Sequence, residues 1–302
     1  MGTSNGCGDL SAETEVEAFR RLYPIDFYQR HFDKSIRPDA RPLHDTRETT
    51  VAFGAVKSAN GSALVKVGCT TMLAAIKMEI MTPSAEAPDE GSLAIDFHMP
   101  PICSPSVRPG RPAEAAPVIS KQLTDTILSA GMIDLKQLCL VSGKAAWMAY
   151  LDICCLDADG CLFDAALLSA VAAFSHLQIP VVSLNEEGRV FIVSEEEAGK
   201  SKKEPVNKEK RKLPLSSIPL SLTCVLHKNH ILPDPTAEEE SVVETSITVV
   251  LDSSDQLVSL YKPGGQILAY PQAIQDCVVL TRQRVKDLQR ILEEAMSNMD
   301  VD

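Results

Sequence analysis

The sequence predicts a mixed α/β fold, α+β-like, in which sheets pack against helices. Three observations carry this expectation. Apolar residues recur at period two from Glu48 onward, and an almost wholly apolar run at 145–157 fits a strand buried on both faces. Near the end, Ile274, Val278, Thr281, Val285, Leu288 and Leu292 recur at helical spacing.

Residues 1 to about 17 are small, polar and acidic, and read as a loose tail. One helix is expected over 15–32, with Val16, Phe19, Leu22, Tyr23 and Phe27 near one face, although Pro24 interrupts it. Strands at 49–57 and 62–67 flank Ser58-Ala-Asn-Gly61, because Asn-Gly is a strong hairpin signal. Gly68 punctuates, and 70–81 reads as a third strand. A polar loop at 82–92 leads to a short strand at 93–97, then to a proline-rich loop at 100–112 holding Arg108 and Arg111. A helix over 113–131 has Ile119, Leu123, Ile127 and Leu128 on one side and Gly131 as its stop. After the 145–157 strand, Asp157-Ala-Asp-Gly160 forms a turn. Asp164 is expected to cap a helix over 165–177 that is apolar nearly all round and must be buried. Short strands at 181–184 and 189–193 lead into a basic loop, followed by strands at 220–226, 244–251 and 256–261 and a final helix at 270–299. The expected organisation is a tail and helix over 1–27, then one large domain over 28–299. That domain divides into halves at 28–135 and 136–299, with the basic loop at 194–212.

Composition narrows the function. The net charge of −12 argues against a broad nucleic-acid surface, since phosphate binding relies on Lys and Arg. The charge is uneven: residues 200–212 hold seven basic against two acidic residues, leaving −17 elsewhere. Contact with nucleic acid is therefore local, with Lys202, Lys203, Lys210 and Arg211 as candidates. No stretch supplies the ~20 apolar residues of a membrane span, and the N-terminus has no secretory pattern. The nine cysteines lack any Cys-x-x-Cys pair and read as reduced, buried thiols of a cytosolic or nuclear protein. His227 and His230 are the only close histidine pair and fall in a turn between two strands, without partner ligands. Neither a glycine-rich phosphate loop nor a Gly-x-Ser-x-Gly elbow is present, which removes nucleotide, dinucleotide and serine-hydrolase readings. No cofactor and no metal site are expected.

Four segments then stand out in order: Arg37-Pro-Asp-Ala-Arg41, Gly61-Ser-Ala-Leu-Val-Lys-Val-Gly-Cys-Thr-Thr71, Leu156-Asp-Ala-Asp-Gly160 and Asp234-Pro-Thr-Ala-Glu-Glu-Glu240. Together they resemble the ribonuclease PH family, from about Tyr28 to Met299. With Lys262-Pro-Gly-Gly265 before the last helix, the chain is most similar to the non-catalytic ring subunits of the eukaryotic RNA exosome. The resemblance implies a ribonuclease PH-type domain of mixed sheets packed with helices. It also implies a heterohexameric ring with other ribonuclease PH-like subunits, KH/OB-type cap proteins, and RNA threaded through a channel to a separate nuclease. Such a complex supports 3′-to-5′ RNA processing and decay, including rRNA maturation and mRNA turnover, in nucleus, nucleolus and cytoplasm, with no membrane partner.

The family also implies where chemistry would sit. Phosphorolysis needs an arginine pair at a helix start and paired aspartates for a metal or a proton. Here Arg108 and Arg111 precede Pro112-Ala-Glu-Ala-Ala, so Glu114 stands where phosphate would dock. The aspartates expected around 211–217 are replaced by Arg211, Lys212, Leu213, Ser216 and Ser217, and no acidic residue lies between Lys212 and Pro233. No catalytic residue is therefore expected; the alternative is an active phosphate-dependent 3′-to-5′ exoribonuclease with non-standard residues. Arg108 and Arg111 either touch RNA or form a solvated loop, and the basic loop either contacts RNA or a cap protein or is solvated. Asp157, Asp159 and Asp164 are metal ligands or turn and cap residues. Glu238, Glu239 and Glu240 form a solvated face or a contact with a neighbouring subunit.

Overall fold

The structure, a computed structural model, describes residues 7–184, 190–192, 211–228, 230–243, 245–265 and 270–299. In chain order the elements are α1 (Cys7–Leu22), α2 (Pro24–Phe32), β1 (Thr49–Phe53), β2 (Gly61–Val67), β3 (Thr70–Met81), β4 (Ser92–His98) and α3 (Ala115–Ser129). A 3-10 turn (Leu135–Leu138), β5 (Cys139–Val141), β6 (Ala145–Asp157), α4 (Leu162–Ser175), β7 (Gln178–Ile179), β8 (Val182–Leu184), β9 (Val190–Ile192) and β10 (Arg211–Lys212) follow. The chain continues through β11 (Leu220–His227), β12 (His230–Pro233), α5 (Ala237–Val242), β13 (Ser246–Leu251), β14 (Leu257–Tyr261) and α6 (Pro271–Met299). None of the described helices is long and apolar enough to cross a membrane.

The N-terminus differs from expectation. Helix is already present from Cys7, where a loose tail was expected, and the single helix over 15–32 is two. The break falls at Tyr23 because Pro24 lacks the amide hydrogen an interior position needs and opens α2 instead. α2 also runs across the expected 27/28 boundary. Phe27, Tyr28 and Phe32 bury themselves with Leu43, Val225, Leu232 and Val243 in a small second core.

The first sheet runs β1-β2-β3-β6-β4, with β5 also on β6. Its pairs are antiparallel except β4 with β6, for which α3 supplies the connection a parallel pair requires. β1 stops at Phe53, short of the expected 57, where Gly54 takes φ +71. The second sheet runs β12-β11-β13-β14. Helices fill the space between the sheets. α4 lies against β2 and β3 on one side and β11 on the other. Every residue from Ala165 to Phe174 is at most 2% exposed, so this helix is apolar all round because it meets protein all round. α6 packs on β1 and on β11 and β13; Arg284 donates from Nη2 to Thr49 Oγ1 at 2.5 Å across 235 positions. α3 joins β4 to β14, where Thr126 and Tyr261 hydroxyls are 3.1 Å apart.

Two local expectations need correction. Asp164 does not cap α4: the helix begins at Leu162 after Cys161 (φ +50), and the Asp164 carboxylate instead accepts from Ser221 Oγ and Thr223 N, both at 2.6 Å. Among the described cysteines, Cys69 is exposed rather than buried, because it sits in the tight β2–β3 turn.

Candidate functional site

The four segments that stand out in the sequence converge on one cluster. Arg47 is its centre. Its Nη2 donates to Asp234 Oδ1 at 2.7 Å, its backbone N to Asp234 Oδ2 at 2.6 Å, and its Nη1 to the Asp159 carbonyl at 2.5 Å. Arg37, 1% exposed, donates from Nη2 to the carbonyls of Pro233 (2.6 Å) and Leu43 (2.7 Å), while Nη1 reaches Glu239 Oε2 at 3.3 Å. Arg41 bonds Asp39 at 2.5 Å and approaches Asp234 at 3.7 Å. Thr70 Oγ1, at the end of the β2–β3 hairpin, donates to the Gly160 carbonyl at 2.9 Å. Gly160 (φ +76) is required here, since a Cβ would lie 2.5 Å from the Pro235 carbonyl oxygen.

Within the acidic run at 238–240 only Glu239 is buried; Glu238 and Glu240 stay exposed, yet each makes an internal hydrogen bond. Thr236 caps α5 through a capping box with Glu239, which is 1% exposed. Glu240 accepts from Cys161 N at 2.9 Å, and Glu238 accepts from Tyr28 OH at 2.7 Å and pairs with Arg20. Electrostatics follow burial. Burial pushes the Asp234 carboxyl up, but Arg47 outweighs it and holds it below the ordinary range. At Glu239 burial wins over Arg37, and its carboxyl is raised. Burial likewise raises Asp164, to about 6, against the bonds from Ser221 and Thr223. Asp159, half exposed to its turn, pairs with Arg47 and accepts from Ala237 N at 3.2 Å. Every one of these carboxylates has an internal partner. Among the described residues no group of three or more His, Cys, Asp or Glu is placed to hold a metal ion.

The loop arginines differ in every respect. Loop 100–112 is pinned by Ala158 N donating to the Cys103 carbonyl at 3.0 Å, with Cys103 buried. Arg108 and Arg111 stand exposed beyond it. Arg111 comes only within 3.8 Å of Glu114, with side chains 74% and 91% exposed, a geometry worth little. Both arginines border an open groove of 740 Å³ between the end of β4 and the start of α3.

The segment expected to replace a carboxylate pair lies elsewhere. Arg211 Nη2 donates to the Gln137 carbonyl at 2.5 Å, Ser216 N to Met132 O at 3.0 Å, and Leu213 is buried. Residues 211–217 thus follow the C-terminal end of α3, while Arg108 and Arg111 precede its N-terminal end. The helix has 15 residues and is about 22 Å long. The two do not form one site. The carboxylates on the side of the arginine loop come from 157–164 and 234–240 instead. Lys202, Lys203 and Lys210 lie outside the described residues. His227 is part-buried and packed structurally: its Nε2 meets Gln29 Oε1 at 2.8 Å and its ring lies 5.6 Å from Phe32. Sequence reasoning did not single out Arg47 or Arg284, because nothing local marks a partner so far along the chain.

Comparison with known proteins agrees with this geometry. Residues 45–180 match the 3′ exoribonuclease family, domain 1, and residues 217–284 match domain 2. The chain is 30% identical to exosome complex component rrp43 of Schizosaccharomyces pombe, over 94% of this chain and 100% of that protein. It is 31% identical to exosome complex component Rrp42 of Methanopyrus kandleri, over 85% and 91%. It also superposes on a chain of the Archaeoglobus fulgidus exosome solved with RNA bound to the active site. That match has a TM-score of 0.75 and 26% identity, and it covers 92% of this chain and 98% of that one. Its two halves follow one another as the two domains of that family do, and the chain belongs to the 3′ exoribonuclease family.

Proposed function

We propose that the chain is a non-catalytic ring subunit of an RNA exosome, with residues 28–299 as its ring-forming unit. In this reading it joins other ribonuclease PH-like subunits in a heterohexamer under KH/OB-type caps. It supports 3′-to-5′ RNA processing and decay in nucleus, nucleolus and cytoplasm by guiding RNA to a separate nuclease. The observation that carries the non-catalytic part is the state of the carboxylates at 157–164 and 234–240, of which all but the exposed Asp157 are bonded internally. Asp159 and Asp234 are held by Arg47, Glu239 by Arg37 and its own cap, Glu240 by Cys161 N, and Asp164 by Ser221 and Thr223. A carboxylate so engaged is not free to bind a metal or take a proton. Sheet edges support the ring: β1 and β14 each pair on one side only, and Leu257 and Leu260 on β14 are 56% and 37% exposed.

The test has two arms. With inorganic phosphate and magnesium, the purified chain should release no nucleoside diphosphates from RNA; release abolished by mutating its own residues would overturn the non-catalytic part. Expressed alone it should be poorly soluble, and soluble with ribonuclease PH-like partners. A well-behaved monomer that joins no such partner would overturn the ring.

A further inference from the structure

We propose that the groove between the end of β4 and the start of α3 is a docking site for a linear, acidic and apolar peptide segment of another protein. Its floor is mostly apolar: the buried Met99 and Phe97 lie beneath Ala113, Ala116 and Pro117, and the one exposed ring of the lining is the His98 imidazole. Ile102 and Val118, next in sequence to the lining residues Pro101 and Pro117, are 84% and 55% exposed. Such exposed apolar surface marks an interaction site when polar groups rim it. The rim is basic. Arg108, Arg111 and Lys121 line the groove against one acidic residue, Asp96, in a chain whose net charge is −12.

This composition discriminates between occupants. Single-stranded RNA binds where cations follow the backbone and exposed rings receive the bases. Here the cations are present, but His98 is the single exposed ring and there is no row of rings to receive successive bases. A peptide alternating Leu or Val with Asp or Glu places its apolar side chains on the floor, at ~25 cal/mol per Å² removed from water, and its carboxylates at the arginines. Pro101, Pro112 and Pro117 hold the walls, so little conformational freedom is left to lose on binding. Arg108 and Arg111, candidate RNA contacts in the sequence, are anchors for carboxylates in this assignment.

The experiment uses the ring assembled with its partners, and assembly of each variant, followed by gel filtration, reports on the ring reading separately. The probe is a short fluorescein-labelled peptide alternating Glu with Leu, read by fluorescence polarisation. Arg108→Glu with Arg111→Glu should weaken it by about tenfold or more without dissociating the ring, Lys121→Glu should weaken it less, and Arg108→Lys with Arg111→Lys should retain most binding. A peptide with Ser in place of Leu should bind about tenfold more weakly, and unlabelled oligouridine of equal length should compete poorly. Equal binding of the Ser peptide, or competition by oligouridine as strong as by the Leu peptide, would overturn the proposal and make the groove a general cationic surface for RNA. Peptide binding unchanged by the double charge reversal would also overturn it.

Discussion

Arginines do opposite things in two regions of this molecule. In the cluster around Asp234, the Arg37 and Arg47 side chains are 0% and 6% exposed and each meets several fixed oxygens. In the loop before α3, Arg111 is 74% exposed and its nearest carboxylate is 3.8 Å away. A buried ion pair is costly to break, because the partner left behind is an unpaired charge in a poor solvent. An exposed pair contributes little and leaves its cation available. The segments that mark the family most clearly in the sequence therefore hold the two halves together. The residues free to meet a partner lie in a loop with no distinctive pattern.

The largest expected effect tests the buried side of that contrast. Arg47→Met strands Asp234 and should cost about 3–5 kcal/mol, seen as loss of soluble chain on co-expression with ring partners. An Arg47→Met ring with an unchanged melting temperature would erase the contrast. Glycines give a matched comparison: Gly160 in the cluster and Gly110 in the loop have φ +76 and +77. A Cβ at Gly160 meets backbone at 2.5 Å, whereas one at Gly110 meets nothing within 4 Å. Gly110→Ala should cost about 1 kcal/mol from backbone strain alone. Gly160→Ala should cost more, up to about 3 kcal/mol, and equal losses in melting temperature would show that the close approach is not felt.

A pH series sharpens the picture within the core. The Asp164 carboxyl is raised to about 6 from an ordinary 3.8, so its protonated form is favoured in the fold. Its contribution is complete below about 3.8 and is lost as pH rises through about 6. The difference in urea midpoint between the native chain and Asp164→Asn should shift against the native chain as pH rises across that window; a flat difference would refute it. Asp234 has the opposite sign: its lowered carboxyl contributes stability above the ordinary value that is lost in acid. The smallest effect belongs to the loop. Arg108→Glu with Arg111→Glu should change stability by no more than about 0.5 kcal/mol, and a larger loss would mean that these arginines are structural after all.

Elements with a clean period were legible: β3 and β6 span the residues that alternation and the apolar run mark, and α6 begins one residue from its expected start. The first turns of α1, 7–14, were not, because that small, polar stretch carries no apolar stripe of the kind that Val16, Phe19 and Leu22 supply further on. The two-residue β7 owes its form to its partner β10 rather than to propensity, whereas α5 carried a local mark, the Thr236/Glu239 capping box, that was not read. The cluster was half legible. Its segments were visible, but not that Arg47 meets Asp234 across 187 positions. For the same reason the segment at 211–217 could be matched to a lost carboxylate pair while lying at the wrong end of α3. Distance along a chain carries no information about which end of a helix a returning loop will meet.

The contact between α6 and β1 has a consequence for how the chain is made. Thr49 leaves the ribosome 235 residues before Arg284, its partner. At ~5–20 residues per second, that interval is on the order of ten to fifty seconds. Throughout it, β1 has its hairpin partner β2 but not the helix that covers it. The nascent first half is thus a sheet with a bare face waiting for the last helix, which makes it a natural client for chaperones during translation.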